Sequence, residues 1–459
     1  MTKKSPSVES QLIEICRRPI PAQVAARARL HLLDWLGCIL AARRSEAAER
    51  MARAVLTESD DLLTAGLSAT RLDAQTAALC LGTLGNVLEM DDLHRASILH
   101  PGDTVCAAAL ATALRRPVTG RALLDALVRG YEIAIRIGTA AAAGGYTPFY
   151  NSGTCGVFGA AMAASEVSGL DESALADALG QAGMQAAGIW QCRLEPGFSK
   201  QLATAHAARA GVFAAELGGA GFAGPRAILT GKMGFFASYY PGADLAHLTA
   251  LPAREAWALT EMSVKPFPAC RHTHPAISAL LSLRPRIDSS AIARIDIHTY
   301  RAALDFCDNP EPETPGEARF SLQHTAAISL LRGAPGLADF EGAVLTAPDV
   351  AALREKVHLH VDPACDAAFP RDYGASVSVT GAQGAVQVAD CPQAWGDPEN
   401  PMSEAEIVTK FRANIRHGSV PEAAASPLVD ALLDLPDAPD LTHLKEALTA
   451  ALSPAPEYA

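Results

Sequence analysis

The sequence has no long basic run, no C-x-x-C pair and no apolar stretch long enough to cross a bilayer, and each absence closes off a class of function. Its formal net charge is −12, so the electrostatic footprint of a nucleic-acid binder is missing. The same balance repels anionic small molecules, and any site for one must gather its own local cations. The ten cysteines are scattered from Cys16 to Cys391, most of them in apolar surroundings. That scatter argues against a thiolate-held metal or an iron–sulfur cluster and points to a reducing compartment. The longest apolar run, "LHLLDWLGCILAA", is too short for a membrane span and carries Asp34. The start, "MTKKSPSVESQLIEICRR", lacks the apolar core of a signal peptide, so the expectation is a cytoplasmic protein.

What is present is a chain of 459 residues, 49% apolar and 19% charged, the balance of a folded protein with two domains or one large and one smaller domain. From about residue 8 to 260 it reads as alanine-rich helices broken by Gly and Pro, with apolar residues at three- and four-residue intervals. After residue 290, "ARIDIHTY", "KVHLHVD" and "ASVSVTGAQGAVQVAD" alternate with a period of two, and "GAQG" marks a hairpin tip. Helical pattern lies between these strands at 317–333 and 346–356. It returns at 403–415, where Ser403 and Glu406 suggest a capping box, and again at 441–452 after a Pro-rich linker. The expected fold is mostly α. A large all-helical domain, 1–265 rejoined by 401–459, carries a smaller α+β domain, 266–400, inserted before the C-terminal helices.

Four stretches carry chemistry. "LEMDDLHRASILHPG", 88–102, crowds acids and histidines between two buried-looking segments. If helical, it puts Glu89 and Asp92 on one face and Asp91 beside His94 or Arg95, with His100 on the turn before Pro101. A solvated helix end is the alternative reading. "TPFYNSGTCGVFGAAMAAS" follows, where Asn151, Ser152 or Thr154 is placed to cap a helix opening at Gly153. Free N–H groups there bind carboxylate well, although glycines at this spacing also serve close helix packing. In "EPGFSKQLATAHAARAG", Lys200 sits near a helix N-terminus, where the dipole disfavours a cation unless an anion is nearby; a surface lysine is the alternative. In "KPFPACRHTHPAISALLSL", Lys265, Arg271, His272 and His274 gather the local cations at the domain boundary. His272 with His274, and His358 with His360, have H-x-H spacing. No carboxylate-linked metal spacing accompanies them, and no metal site is expected. His324, in "EARFSLQHTAAISLLRG", reads as a core histidine.

Taken in order, "LLDWLGCILA", "EMDDLHRASILHPG", "SGTCGVFGAA", "SKQLATAHAARAG", "KPFPACRHTH", "EARFSLQH" and "WGDPENPMSEAEIVTKF" resemble the MmgE/PrpD family. Its members include 2-methylcitrate dehydratase, cis-aconitate decarboxylase and iminodisuccinate epimerase. The resemblance spans nearly the whole chain. It implies a homodimer acting on small di- or tricarboxylates, with no metal or other cofactor. Carried over residue by residue, it implicates Glu89, Asp91, Asp92, His100, Lys200, Lys265 and His274 in catalysis. Four positions depart from the family pattern. Glu89 and Met90 stand in the usual acid run, Tyr150 replaces a histidine, and His324 replaces a tyrosine.

The chemistry expected is removal of a proton from a carbon beside a carboxylate, with cations stabilising the enolate-like anion. Lys200, Lys265 and Arg271 are candidates for that charge, helped by N–H groups near Gly153, and His94, Ser152 and Thr154 for substrate binding. His100 or an acid of the run is a candidate base, and His274, Tyr150 or His324 a candidate acid. The leading expectation is a 2-methylcitrate dehydratase-like hydro-lyase. An epimerase, a decarboxylase or a non-catalytic carboxylate-binding relative are the alternatives.

Overall fold

In the computed structural model, which describes residues 6–57, 61–195, 197–251 and 256–453, the chain divides into two units. One takes in Met1–Val87, Asp91–Met262 and Glu404–Ala459; the other takes in Leu88–Met90 and Ser263–Ser403. The fold is mostly α, with one four-stranded sheet ahead of the C-terminal helices, as the change from helical to two-residue periodicity led us to expect.

The first unit is built on α1 (Ala22–Ala41), α2 (Ala74–Leu84), α3 (Gly102–Ala113), α4 (Gly120–Ala142), α5 (Gly156–Val167), α6 (Glu172–Gly183) and α7 (Ser199–Gly219). Acidic caps start two of them: Asp73 accepts from Thr76 N–H and Asp171 from Ala174 N–H, both at 2.8 Å. Small residues let these helices approach to backbone contact. A Cβ added at Gly159 in α5 would lie 2.7 Å from the Gly130 carbonyl of α4. Phe158, Ile133, Ile137 and Met162 fill the surrounding core, each fully buried. No helix among the described residues is long and apolar enough to cross a membrane.

The second unit carries α8 (His274–Leu283), β1 (Ile292–Thr299), α9 (Leu322–Leu331), β2 (Val357–Val361), β3 (Ala375–Gly381) and β4 (Val386–Cys391). The sheet order is β2-β1-β3-β4; β1 and β2 run parallel and the other neighbours antiparallel. Register sets Ile297 opposite Leu359 and Val377, and the face bearing Ile295, Ile297 and Val377 is buried in one core with residues of α8 and α9. The alternate residues form the outer face. There His360 Nε2 bonds Asp296 at 2.7 Å and its ring stacks on His298.

The chain returns to the helical unit through α10 (Glu404–His417), α11 (Glu422–Leu433) and α12 (Thr442–Leu452). A buried Lys410–Asp34 pair, 2.6 Å apart, joins α10 to α1. Helix α11 falls where the sequence suggested only a Pro-rich linker. Pro427 removes one N–H from it, but Ala424, Ala425, Leu428, Val429 and Leu432 bury a continuous stripe that outweighs the loss.

Candidate active site

The acid-rich stretch is not a helix. Helix α2 ends at Leu84 and α3 begins at Gly102, and the run between them is irregular, so the helical face shared by Glu89 and Asp92 does not exist. Instead the run is divided: Glu89 belongs to the second unit, Asp91 and Asp92 to the first. Two residues adopt left-handed backbone, Glu89 at φ 53° and Ile98 at φ 52°. For a β-branched side chain this is a costly conformation that the surrounding structure must hold. The hold on Ile98 is visible. His94 N–H donates to the Leu99 carbonyl at 2.8 Å, and the return bond is 3.3 Å.

Asp91 reaches along the loop to a histidine nine residues on. Fully buried, it binds His100 Nδ1 at 2.6 Å. A carboxylate only accepts, so Nδ1 carries the hydrogen and Nε2 presents a lone pair. The His100 side chain is 16% exposed, and its backbone N–H donates to Ser152 Oγ at 3.0 Å. A histidine fixed at one nitrogen and accessible at the other has the form of a general base.

Asp92 is engaged differently. Its Oδ2 meets His31 Nδ1 at 2.8 Å and accepts from Tyr131 O–H at 2.8 Å, while Oδ1 accepts from Gly102 N–H at 3.2 Å. His31 and Tyr131 were not singled out in the sequence. Each sits in an apolar helix, and nothing in the spacing links either to Asp92. His94 is held locally. Ser97 N–H donates to its Nδ1 at 3.2 Å, and its Nε2 lies 3.6 Å from Glu261. That contact holds the Glu261 carboxyl below its ordinary pKa.

The glycine-rich stretch packs beside this loop. Helix Asn151–Thr154 is one short turn. Gly153 N–H and Thr154 N–H both donate to the Tyr150 carbonyl at 3.0 Å, so these two are not free for an anion. Neither Asn151, Ser152 nor Thr154 caps a helix; Asn151 Nδ2 donates to the Ser97 carbonyl and Thr154 Oγ1 bonds Tyr240. Gly153 is there for space, since a Cβ would lie 2.3 Å from the Ala187 carbonyl oxygen. Gly153→Ala is expected to cost about 1–3 kcal/mol, read as a lower unfolding midpoint in urea. Tyr150 is fully buried against Trp190, with ring centroids 4.7 Å apart.

Lys200 lies in the first turn of α7, 9% exposed. One turn on, Thr204 accepts from Asn86 Nδ2 at 3.4 Å and donates to the Gly82 carbonyl at 3.3 Å, which joins this helix to the start of the acid loop. Asp91, His100, Ser152 and the helix carrying Lys200 are thus tied together within one unit. Two surface cavities of the same unit, about 410 and 340 Å³, are lined by residues such as Arg115, Glu216, Arg209 and Phe213 and by none of the nominated ones.

In the second unit, Lys265 Nζ sits 3.3 Å from Glu89, both buried. Arg271 pairs with Asp397 and donates to His274 Nδ1 at 3.0 Å. A guanidinium only donates, so His274 must donate from Nε2, which it does, to the Ala269 carbonyl at 3.0 Å. His272 turns to Tyr300, 2.6 Å away, so the H-x-H pair diverges. Among the described residues no group of three or more His, Cys, Asp or Glu is placed to hold a metal.

His324 is a core residue whose Nε2 bonds the Asp339 carbonyl at 2.9 Å and whose buried Nδ1 has no partner among the described residues. Burial lowers its pKa from 6.5 to about 4. The unfolded chain then takes up a proton between these values and the folded chain does not. Stability is therefore complete above pH 6.5 and falls as pH drops toward 4. Relative to His324→Phe, the protein is expected to lose on the order of 3 kcal/mol across that window. Denaturant unfolding of the pair at pH 7 and pH 4.5 checks it.

Residues 13–248 match the MmgE/PrpD N-terminal domain, and residues 267–435 match the MmgE/PrpD C-terminal domain. The chain belongs to the MmgE/PrpD family. This MmgE/PrpD chain is 28% identical over 422 residues to human cis-aconitate decarboxylase, covering 85% of the chain and 83% of that protein. It is 24% identical over 464 residues to the cis-aconitate decarboxylase of Aspergillus terreus, covering 94% and 92%. A shorter match, 31% over 113 residues and 23% of each chain, is to 2-methylcitrate dehydratase of Salmonella typhimurium. Decarboxylases and dehydratases are both lyases, and these family relatives are therefore enzymes of one broad class.

Proposed function

We propose that this protein is a lyase that moves a proton at a carbon beside a carboxylate of a small di- or tricarboxylate, and that it eliminates water. The observation that carries the reading is the Asp91–His100 pair, 2.6 Å apart, with Nε2 of the imidazole left to act. His100 removes the proton, and Asp91 keeps the ring oriented and stabilises the imidazolium that forms. Negative charge spreads onto the substrate carboxylate, and Lys200 is the cation of the same unit assigned to meet it. The β-hydroxyl leaves with a proton from an acid, so the net change is loss of one water. Tyr150 is assigned as that acid. His274 has both nitrogens engaged, and His324 resists protonation, which weighs against either. The reading needs no cofactor.

A second reading, decarboxylation, is favoured by the relatives matched along most of their length, which are named cis-aconitate decarboxylase. There the proton is delivered to carbon and carbon dioxide departs. Epimerisation shares the first step and differs in the face that is reprotonated. Incubation with 2-methylcitrate, cis-aconitate and iminodisuccinate in deuterated water, followed by NMR of the products, separates the three. Water loss from 2-methylcitrate supports the first reading, and loss of carbon dioxide from cis-aconitate supports the second. Absence of both turnover and deuterium uptake on all three would sink the proposal.

A further inference from the structure

We infer that His31, buried in α1, is a positioning residue for the His100 base, acting through Asp92; this rests on the proposed role of His100. The sequence offers no hint of it, for His31 lies in the apolar run that fills the helix. Its side chain is 1% exposed, and its Nδ1 meets Asp92 Oδ2 at 2.8 Å. Nε2 is buried with no hydrogen-bond partner among the described residues. A buried N–H without an acceptor is costlier than a bare lone pair, so the ring takes the tautomer with hydrogen on Nδ1 and donates to Asp92.

Asp92 passes this hold on to the loop. Its other oxygen accepts Gly102 N–H, two residues past His100, so one carboxylate closes the loop from 92 to 102. The preceding residue, Asp91, binds the imidazole of His100 directly. The base is therefore held from both sides of its loop, once through its ring and once through the backbone that follows it. Tyr131, on α4, shares the Asp92 oxygen with His31 and is the second donor. With either donor gone, a buried carboxylate lacks part of its hydrogen bonding and moves, and Gly102 and His100 move with it. A shift of about 1 Å at a catalytic group costs about a hundredfold in rate.

The test compares His31→Phe, which keeps the ring volume without the donor, with His31→Asn, whose amide can donate from nearly the Nδ1 position. It uses the full-length protein and whichever of the three carboxylates the wild type turns over. His31→Phe is expected to lower kcat roughly 10- to 100-fold with KM within twofold, since the buried ring cannot touch substrate. His31→Asn should recover most of kcat. Unchanged kcat in His31→Phe, or equal losses in both variants, overturns the inference, because volume rather than donation would then matter. Should His31→Phe fail to fold, Tyr131→Phe decides. A several-fold loss of kcat at constant KM supports the relay through Asp92, and full activity refutes it. His100→Ala runs alongside: if it stays active, the base assignment itself is wrong, whereas an inactive His100→Ala with normal His31 variants removes only the positioning role.

Discussion

Replacing Asp91 with Asn lowers kcat by roughly a thousand- to ten-thousand-fold while the protein stays folded. The substitution keeps the volume of a fully buried side chain but changes its hydrogen-bond grammar. A carboxylate can only accept from His100 Nδ1; an amide can donate to it, which moves the imidazole hydrogen to Nε2, the nitrogen that must take the substrate proton. Substrate affinity should change little, because Asp91 faces His100 rather than solvent. Steady-state kinetics on the turned-over carboxylate measures the split between kcat and KM. A variant retaining more than a tenth of wild-type kcat would show that His100 is not the base, or that Asp91 does not orient it.

The second large effect is on stability. Lys265→Met removes the cation paired with Glu89, both buried, and is expected to cost about 3–5 kcal/mol. Exposing one member of a buried pair to an apolar surrounding is costlier than losing both. The double variant Glu89→Gln with Lys265→Met should therefore unfold at a higher denaturant concentration than Lys265→Met alone. Equal midpoints for the single and double variants would mean that the two charges do not stabilise each other. If the double variant recovers stability without activity, Lys265 or Glu89 also has a role in the reaction; recovery of both limits the pair to structure, where it anchors the left-handed backbone of Glu89.

Particular residues show where sequence reasoning stops. Pro101 marks a true boundary, the start of α3 rather than the end of a helix through the acids, and the period-two alternation of "ARIDIHTY" and "ASVSVTGAQGAVQVAD" located β1, β3 and β4 to within a residue or two. Those are local signals, set by backbone sterics and by which face is buried. The pairing of acids is different. Glu89, Asp91 and Asp92 stand within four residues, yet their partners are Lys265, His100 and His31, at separations of 176, 9 and 61 residues. Helical spacing put Asp91 beside His94 or Arg95, and the loop brought it against His100. The glycine-rich stretch is at most a weak sign of an anion cradle, with close packing the favoured reading. The Ala187 carbonyl beside Gly153 decided for packing.

From the residues alone came the helical body, the small sheet, the break in the chain that carries the acids, and a family whose members act on carboxylates. Periodicity, turn chemistry and motif order are properties of neighbouring residues, and these suffice for such conclusions. Only the tertiary structure set one carboxylate against the His100 imidazole, the next against the loop backbone and a third beside a buried lysine. A carboxylate binds whichever donor packing brings to about 3 Å, and helices distant in sequence make that choice.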